Sequence, residues 1–293
     1  MLGGRLSVVA AAVLFSTGGA AIKACGLSAW QVAGFRSAFA MVAVFVLMRP
    51  TRWTRSGAAT AVAYAATMVL FVYANKLTTA ASSILLQSTA PLYMIPFARF
   101  VLHEPVRRRD LGFLGALLFG MILFFGDADA RFATAPDPVR GNVVAAASAV
   151  FWALTVGGLR RLERDGEKEG AAATLVLGNA FAFLFCLPFA LPLGAVSTSD
   201  GLLIAYLGIF QVGLAYVCLA RGVRKVPGLE ASFLLLLEPV LNPLWAWVVH
   251  GETPGPWTLA GGALVVGAAA LKPWLDARSA LTELRKRSLQ RAS

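Results

Sequence analysis

Apolar residues along this chain do not alternate with polar ones, nor do they mark out a single helical stripe. They come in blocks, such as "LSVVAAAVLFSTGGAAI" from Leu6 and "GLLIAYLGIFQVGLAYVCLA" from Gly201, each closed by charged or Pro/Gly-rich punctuation. A hydrocarbon core about 30 Å thick needs about 20 helical residues to cross, and the blocks have that length. Their spacing predicts ten membrane-spanning helices, at approximately 5–23, 30–48, 57–75, 80–101, 110–126, 140–159, 171–191, 200–220, 228–249 and 256–272. The intervening loops are too short for a soluble domain.

Composition agrees with the pattern. The 293 residues are 58% hydrophobic and 14% charged, with a mean hydropathy of +0.71, where a soluble domain keeps about a quarter of its residues charged. The expected class is therefore all-α and polytopic. The first block follows "MLGGR" and is longer than the apolar region of a usual signal peptide, so it is expected to stay as the first span. Cys25, Cys186 and Cys218 are scattered, with neither a disulfide framework nor metal-ligand spacing.

The formal charge of +11 would point to nucleic acid in a soluble protein. Its distribution gives another reason. With a cytoplasmic N-terminus, 20 of the 26 Lys and Arg residues fall in cytoplasmic segments. Only Lys23, Lys76, Arg131 and Arg140 fall outside, and Arg36 and Arg99 lie within spans. That bias is the positive-inside rule, and it predicts both termini in the cytoplasm with no nucleic-acid partner. The basic tail, 273–293, is expected to lie along the anionic inner leaflet.

The chain also repeats itself. "ASSILLQSTAPLYMIPFARFVLHEP" from Ala81 returns as "ASFLLLLEPVLNPLWAWVVHGETP" from Ala231. With Pro91 set on Pro239, Glu104 falls on Glu252, and "GALLFG" at Gly115 nearly matches "GALVVG" at Gly262. "VVAAAVLF" at Val8 likewise resembles "VVAAASAVF" at Val143. Two five-helix units result, 1–126 and 140–272, joined by an external linker at 127–139. Five is odd, so the second unit enters the membrane inverted, the architecture that supports alternating access about a central site.

These motifs, with "FSTGGAAIK" in the first span and Arg36 in the second, resemble the EamA repeat of the drug/metabolite transporter superfamily. The resemblance covers both halves, although "FWALTVGGLRRL" at Phe151 lacks the clean small-residue ending of that repeat. It implies a ten-helix exporter of amino acids and other metabolites in a bacterial inner membrane, looking most like the aromatic amino-acid branch.

Candidate residues follow from the cost of polar groups among lipid. Asn75, Thr79, Ser83 and Gln87 fall at i, i+4 spacing and end at Pro91, which reads as one polar stripe on the fourth helix. Hydrogen bonds within the helix or to its neighbours are the competing use of such residues. Glu238 and Asn242 share a face beside Pro239 and Pro243, and the repeat sets Ala90 and Met94 in their places. Charging a carboxylate at that depth costs several kcal/mol unless it is paired or wetted. Glu238 is thus a proton-coupling group, a partner for a substrate ammonium, half of an ion pair, or a brace for the proline kink. Arg36 lies about 9 Å below the external end of its helix and would meet a substrate carboxylate, an acid of the protein, or water by snorkelling.

Lys76 marks the external mouth, and Trp152 with Tyr216 would give an aromatic wall. Glu104 and Glu252 are expected to cap the fifth and tenth helices. His103 and His250 fall on opposite faces and share no metal.

The expected function is secondary transport of a small molecule, amino acids above all, with no cofactor and no bound nucleotide, since no phosphate-binding loop occurs. A lipophilic-cation exporter and a sugar-phosphate carrier are the alternatives within the class. A membrane-embedded enzyme would need a catalytic constellation at one depth, and Glu238 has no acidic partner in the spans. The bilayer is a partner throughout, and the sequence sets no oligomeric state, a monomer being plausible.

Overall fold

The computed structural model describes residues 2–100, 108–123, 126, 133–165, 170–223, 225–226, 231, 234–268, 270–271, 274–275 and 278. His103, Glu104, Arg131 and most of the basic tail lie outside the described residues. The described residues are almost wholly helical. Their helices are α1 (Leu2–Ser16), α2 (Gly18–Ala24), α3 (Ala29–Met48), α4 (Arg55–Leu77), α5 (Ala80–Gln87), α6 (Ala90–Phe100), α7 (Arg108–Leu123), α8 (Pro138–Arg164) and α9 (Gly170–Ala190). There follow α10 (Thr198–Tyr206), a π-helical stretch (Leu207–Leu214), α11 (Ala215–Val223), α12 (Leu237–His250) and α13 (Pro256–Ala268).

Among the described residues, six uninterrupted or nearly uninterrupted helices are long and apolar enough to cross a membrane: Leu2–Ala24, Ala29–Met48, Arg55–Leu77, Pro138–Leu162, Gly170–Ala190 and Thr198–Val223. The remaining apolar segments are shorter, and their breaks have local causes. Pro91 has no N–H for the carbonyl of Gln87, so the helix from Ala80 stops there and restarts at Ala90. Pro243 does the same to the carbonyl of Pro239 inside α12.

Side-chain caps set several starts. Ser28 and Gln31 close a capping box at the head of α3, Thr54 accepts from the Gly57 N–H, and Ser197 accepts from the Asp200 N–H. Gly251 ends α12 in the left-handed conformation, φ 68°, which glycine adopts without strain.

Packing crosses the chain's midpoint. α4 packs against α8 and α9, α3 against α9 and the π-helical stretch, and α1 against α11 and α12. Close approach depends on small residues. A Cβ on Gly158 would sit 2.4 Å from Thr60 Oγ1, and one on Gly222 would sit 3.0 Å from the Gly4 carbonyl.

Exposure is inverted relative to a soluble protein. Phe45, Phe185, Leu202, Trp247 and Val248 are exposed, whereas Arg36, Asn75, Ser83, Asn179 and Asn242 are buried. Apolar side chains outside and polar ones inside are the arrangement a bilayer demands. The protein is membrane-embedded.

Candidate functional site

A cavity of about 220 Å³ lies between the two halves of the chain, bounded by residues from α1, α3, α4, α5, α8, the π-helical stretch, α11 and α12. Arg36, Thr67, Gln87, Ser88, Gln211 and Glu238 supply its polar wall, and Phe15, Phe71, Trp152 and Tyr216 its aromatic one.

Each polar group is set by its helix. Arg36 is 1% exposed and donates from Nη2 to the Met68 carbonyl at 3.0 Å, while its Nε has no partner. Gln87 donates to Ser148 Oγ at 2.8 Å, tying α5 to α8 at the cavity edge. Glu238 enters from the first turn of α12, next to Pro239, and no hydrogen bond or ion pair reaches its carboxylate among the described residues. Arg36 likewise has no acidic partner among them. One buried guanidinium and one carboxylate thus face a common space without neutralising each other.

The Tyr216 ring stands edge-on to Phe15, centroids 5.0 Å apart, and to Tyr64 at 5.8 Å. Tyr64 is held from behind by Asn179, whose Nδ2 donates to its hydroxyl at 3.3 Å. Trp152 packs over Ala90, Ala149 and Ala153.

Of the residues singled out from the sequence, the structure brings Arg36, Gln87, Trp152, Tyr216 and Glu238 to this cavity, and places the others elsewhere. The supposed stripe on one helix is broken at its root. Asn75 lies in the last turn of α4, and Thr79 is the extended N-cap of α5, accepting from the Ser82 N–H. Asn75 Nδ2 still donates to Ser83 Oγ, 2.9 Å across the break, and neither residue lines the cavity. Pro91 shapes the break after Gln87 and does not line the space. Asn242 is fully buried one turn beyond Glu238, so close to Gly19 that a Cβ there would lie 2.5 Å from its Oδ1. Lys76 donates to the carbonyl of Cys25 at the end of α2, an orphan acceptor of a helix terminus.

Glu252 also departs from expectation. Instead of capping the helix that follows it, it accepts from the Ala80 N–H at 2.9 Å and so caps α5, and it forms a buried ion pair with Lys23 at 2.9 Å. Thr134 donates to the same carboxylate, and Lys23 donates to the carbonyls of Thr78 and Thr134 at 2.7 and 2.6 Å. His250 sits beside this cluster, its Nε2 2.8 Å from the Ala20 carbonyl. Five segments are tied together at one end of the bundle, and every charge in the knot is satisfied.

Gln211 was not among the sequence candidates. Its signal was available, since it is the single amide in the apolar run from Leu202 to Ala220.

Known proteins share this organisation. The family described as "EamA-like transporter family" matches residues 2–126 and again 139–272. The chain belongs to the EamA-like transporter family. Within the drug/metabolite transporter superfamily, it is similar to the aromatic amino acid exporter YddG of Ancylobacter novellus, with 29% identity over 64% of this chain and 65% of that protein. It is also similar to the pseudopaline exporter CntI of Pseudomonas aeruginosa, with 27% identity over 90% of this chain and 93% of that one. An uncharacterized transporter of Clostridium kluyveri is 24% identical over 64% of this chain and 61% of its own length. The match thus spans somewhat under two thirds of the Clostridium and Ancylobacter proteins. A crystal structure that is 24% identical, covering 91% of this chain and 96% of its own, superposes with a TM-score of 0.61 and shares the fold. The protein is a membrane-embedded member of that family.

Proposed function

We propose that this protein exports amino acids, chiefly aromatic and other hydrophobic ones, across a bacterial inner membrane by alternating access. The observation that carries the proposal is the cavity itself, in which unpaired Arg36 and Glu238 share one space with an aromatic wall. An α-amino acid offers a carboxylate, an ammonium and a side chain to those three features. A volume of about 220 Å³ lies below the roughly 300–1,000 Å³ usual for drug-sized ligands. A lipophilic cation would use Glu238 and leave the guanidinium stranded; a sugar phosphate would leave the carboxylate repelling it. That YddG and CntI are named as exporters agrees with outward transport.

In this reading ten spans form two inverted five-helix units, 1–126 and 140–272, with both termini cytoplasmic. Support comes from the packing, in which contacts recur when each span is exchanged for the one five places away. The third span on the sixth (α4 with α8) answers to the eighth on the first (α11 with α1). The third on the seventh (α4 with α9) answers to the eighth on the second (the π-helical stretch with α3). The Lys23–Glu252 knot then seals the external end.

The test is efflux from proteoliposomes preloaded with labelled phenylalanine, tryptophan, methionine, threonine, a sugar phosphate or a quaternary ammonium dye, with and without a pH gradient. Saturable efflux of the amino acids, above that of protein-free liposomes, is expected. Movement of the dye alone would transfer the assignment to lipophilic cations.

A further inference from the structure

Gln211 lies in the π-helical stretch Leu207–Leu214. Such i→i+5 geometry is rare and recurs where a side chain has to be presented for function. Here Gly208 and Gly213 let the stretch press onto α3. A Cβ on Gly208 would lie 2.5 Å from the Arg36 carbonyl, and one on Gly213 would lie 2.7 Å from Ala43 Cβ. The result is that Gln211, 5% exposed, joins Arg36 in the wall of the cavity.

Its amide has a defined sense. Nε2 donates to the Phe15 carbonyl at 3.3 Å, and turning the amide over would set two oxygens against each other. The oxygen Oε1 is therefore the free end, and it has no donor. A buried acceptor without a donor is costly; Ser37, Asn75, Asn179 and Asn242 also carry unmet buried atoms, but of this described set only Arg36 and Gln211 line the cavity. The neighbouring Arg36 shows the complementary lack, with Nε a donor without an acceptor. One unmet acceptor and one unmet donor on adjoining elements describe a ligand carrying both kinds of group.

We propose that Gln211 is a substrate-recognition residue, whose Oε1 accepts a hydrogen bond from the substrate's ammonium while Arg36 holds its carboxylate. This rests on the zwitterion reading of the cavity and adds to it a second nitrogen-binding group beside Glu238. The competing role is structural, the bridge from Nε2 to Phe15 alone.

The roles separate in a ligand-stabilisation assay on the full-length protein in detergent, using phenylalanine, 3-phenylpropionate (no ammonium) and phenethylamine (no carboxylate). Wild type should prefer phenylalanine over 3-phenylpropionate. Gln211→Met keeps the side-chain length and removes both the acceptor and the Phe15 bond; it should shrink that preference by roughly tenfold, weakening phenylalanine far more than 3-phenylpropionate. Gln211→Glu keeps an acceptor and loses the Phe15 bond; it should retain the preference and strengthen phenethylamine binding. Equal weakening of all three ligands by Gln211→Met, or no gain for phenethylamine in Gln211→Glu, would overturn the proposal. Absence of stabilisation of the wild type by any of the three would instead remove the zwitterion reading, and this proposal with it.

Discussion

At the scale of single residues, the proposed function rests on two charges that are not paired among the described residues. Arg36 and Glu238 are each held where desolvation is costly, and neither is neutralised by the other or by another described residue. Structural ion pairs in this protein look different: Lys23 and Glu252 satisfy each other at 2.9 Å with further hydrogen bonds around them. The contrast supports the proposal that the unpaired set meets the ligand. Glu238→Gln should purify like wild type and raise the KM for amino-acid efflux by roughly tenfold, the worth of one charged hydrogen bond. Unchanged efflux across the pH range would make Glu238 a structural carboxyl. Arg36→Gln should weaken phenylalanine and 3-phenylpropionate together and spare phenethylamine, measured by competition against labelled efflux.

Residue-level reading of the sequence went furthest where one side chain broke an apolar run. Glu238, Arg36 and Gln87 stood out for that reason and reach the cavity; Gln211 meets the same criterion. Where reading relied on i, i+4 spacing it failed, because Asn75 and Thr79 sit on either side of a helix break that spacing alone cannot reveal.

At the scale of elements, the ends of the long apolar helices were legible to within a few residues, since hydrophobic length and the caps at Ser28, Thr54 and Ser197 are local properties. Pro91 announced the interruption after Gln87. The π-helical stretch was not legible. It carries no proline and arises because two glycines let it settle on α3, a tertiary contact with no local signature. Gly208→Val tests that account. Its Cβ would lie 2.4 Å from Phe39 Cβ and 2.5 Å from the Arg36 carbonyl, so the stretch has to retreat from α3. Overpacking of this kind costs about 1–3 kcal/mol. The variant should unfold at lower temperature in detergent and lose affinity for phenylalanine together with Gln211 alignment. A wild-type unfolding temperature would show that the close approach is dispensable.

At the scale of the whole molecule, the Lys23–Glu252 knot joins α2, the end of α4, the head of α5, Thr134 and the turn after α12. The sequence placed both charges at helix ends but could not pair them, because 229 residues separate them and only the fold brings α2 beside that turn. Removing one member leaves the other buried and unpaired, at a cost of about 3–5 kcal/mol. Glu252→Gln and Lys23→Met should each lower the unfolding temperature, and the double variant should recover part of the loss. A double variant that adds the two losses in full would mean that the charges act independently.

The central claim is that one amino-acid site is exposed alternately to the two sides, and counterflow tests it most directly. Proteoliposomes loaded with excess unlabelled phenylalanine are diluted into trace labelled phenylalanine, and internal label is followed with time. Alternating access predicts a transient accumulation of label above its external concentration, abolished in Arg36→Gln. Label that only equilibrates, with no overshoot, would contradict a carrier mechanism for this protein.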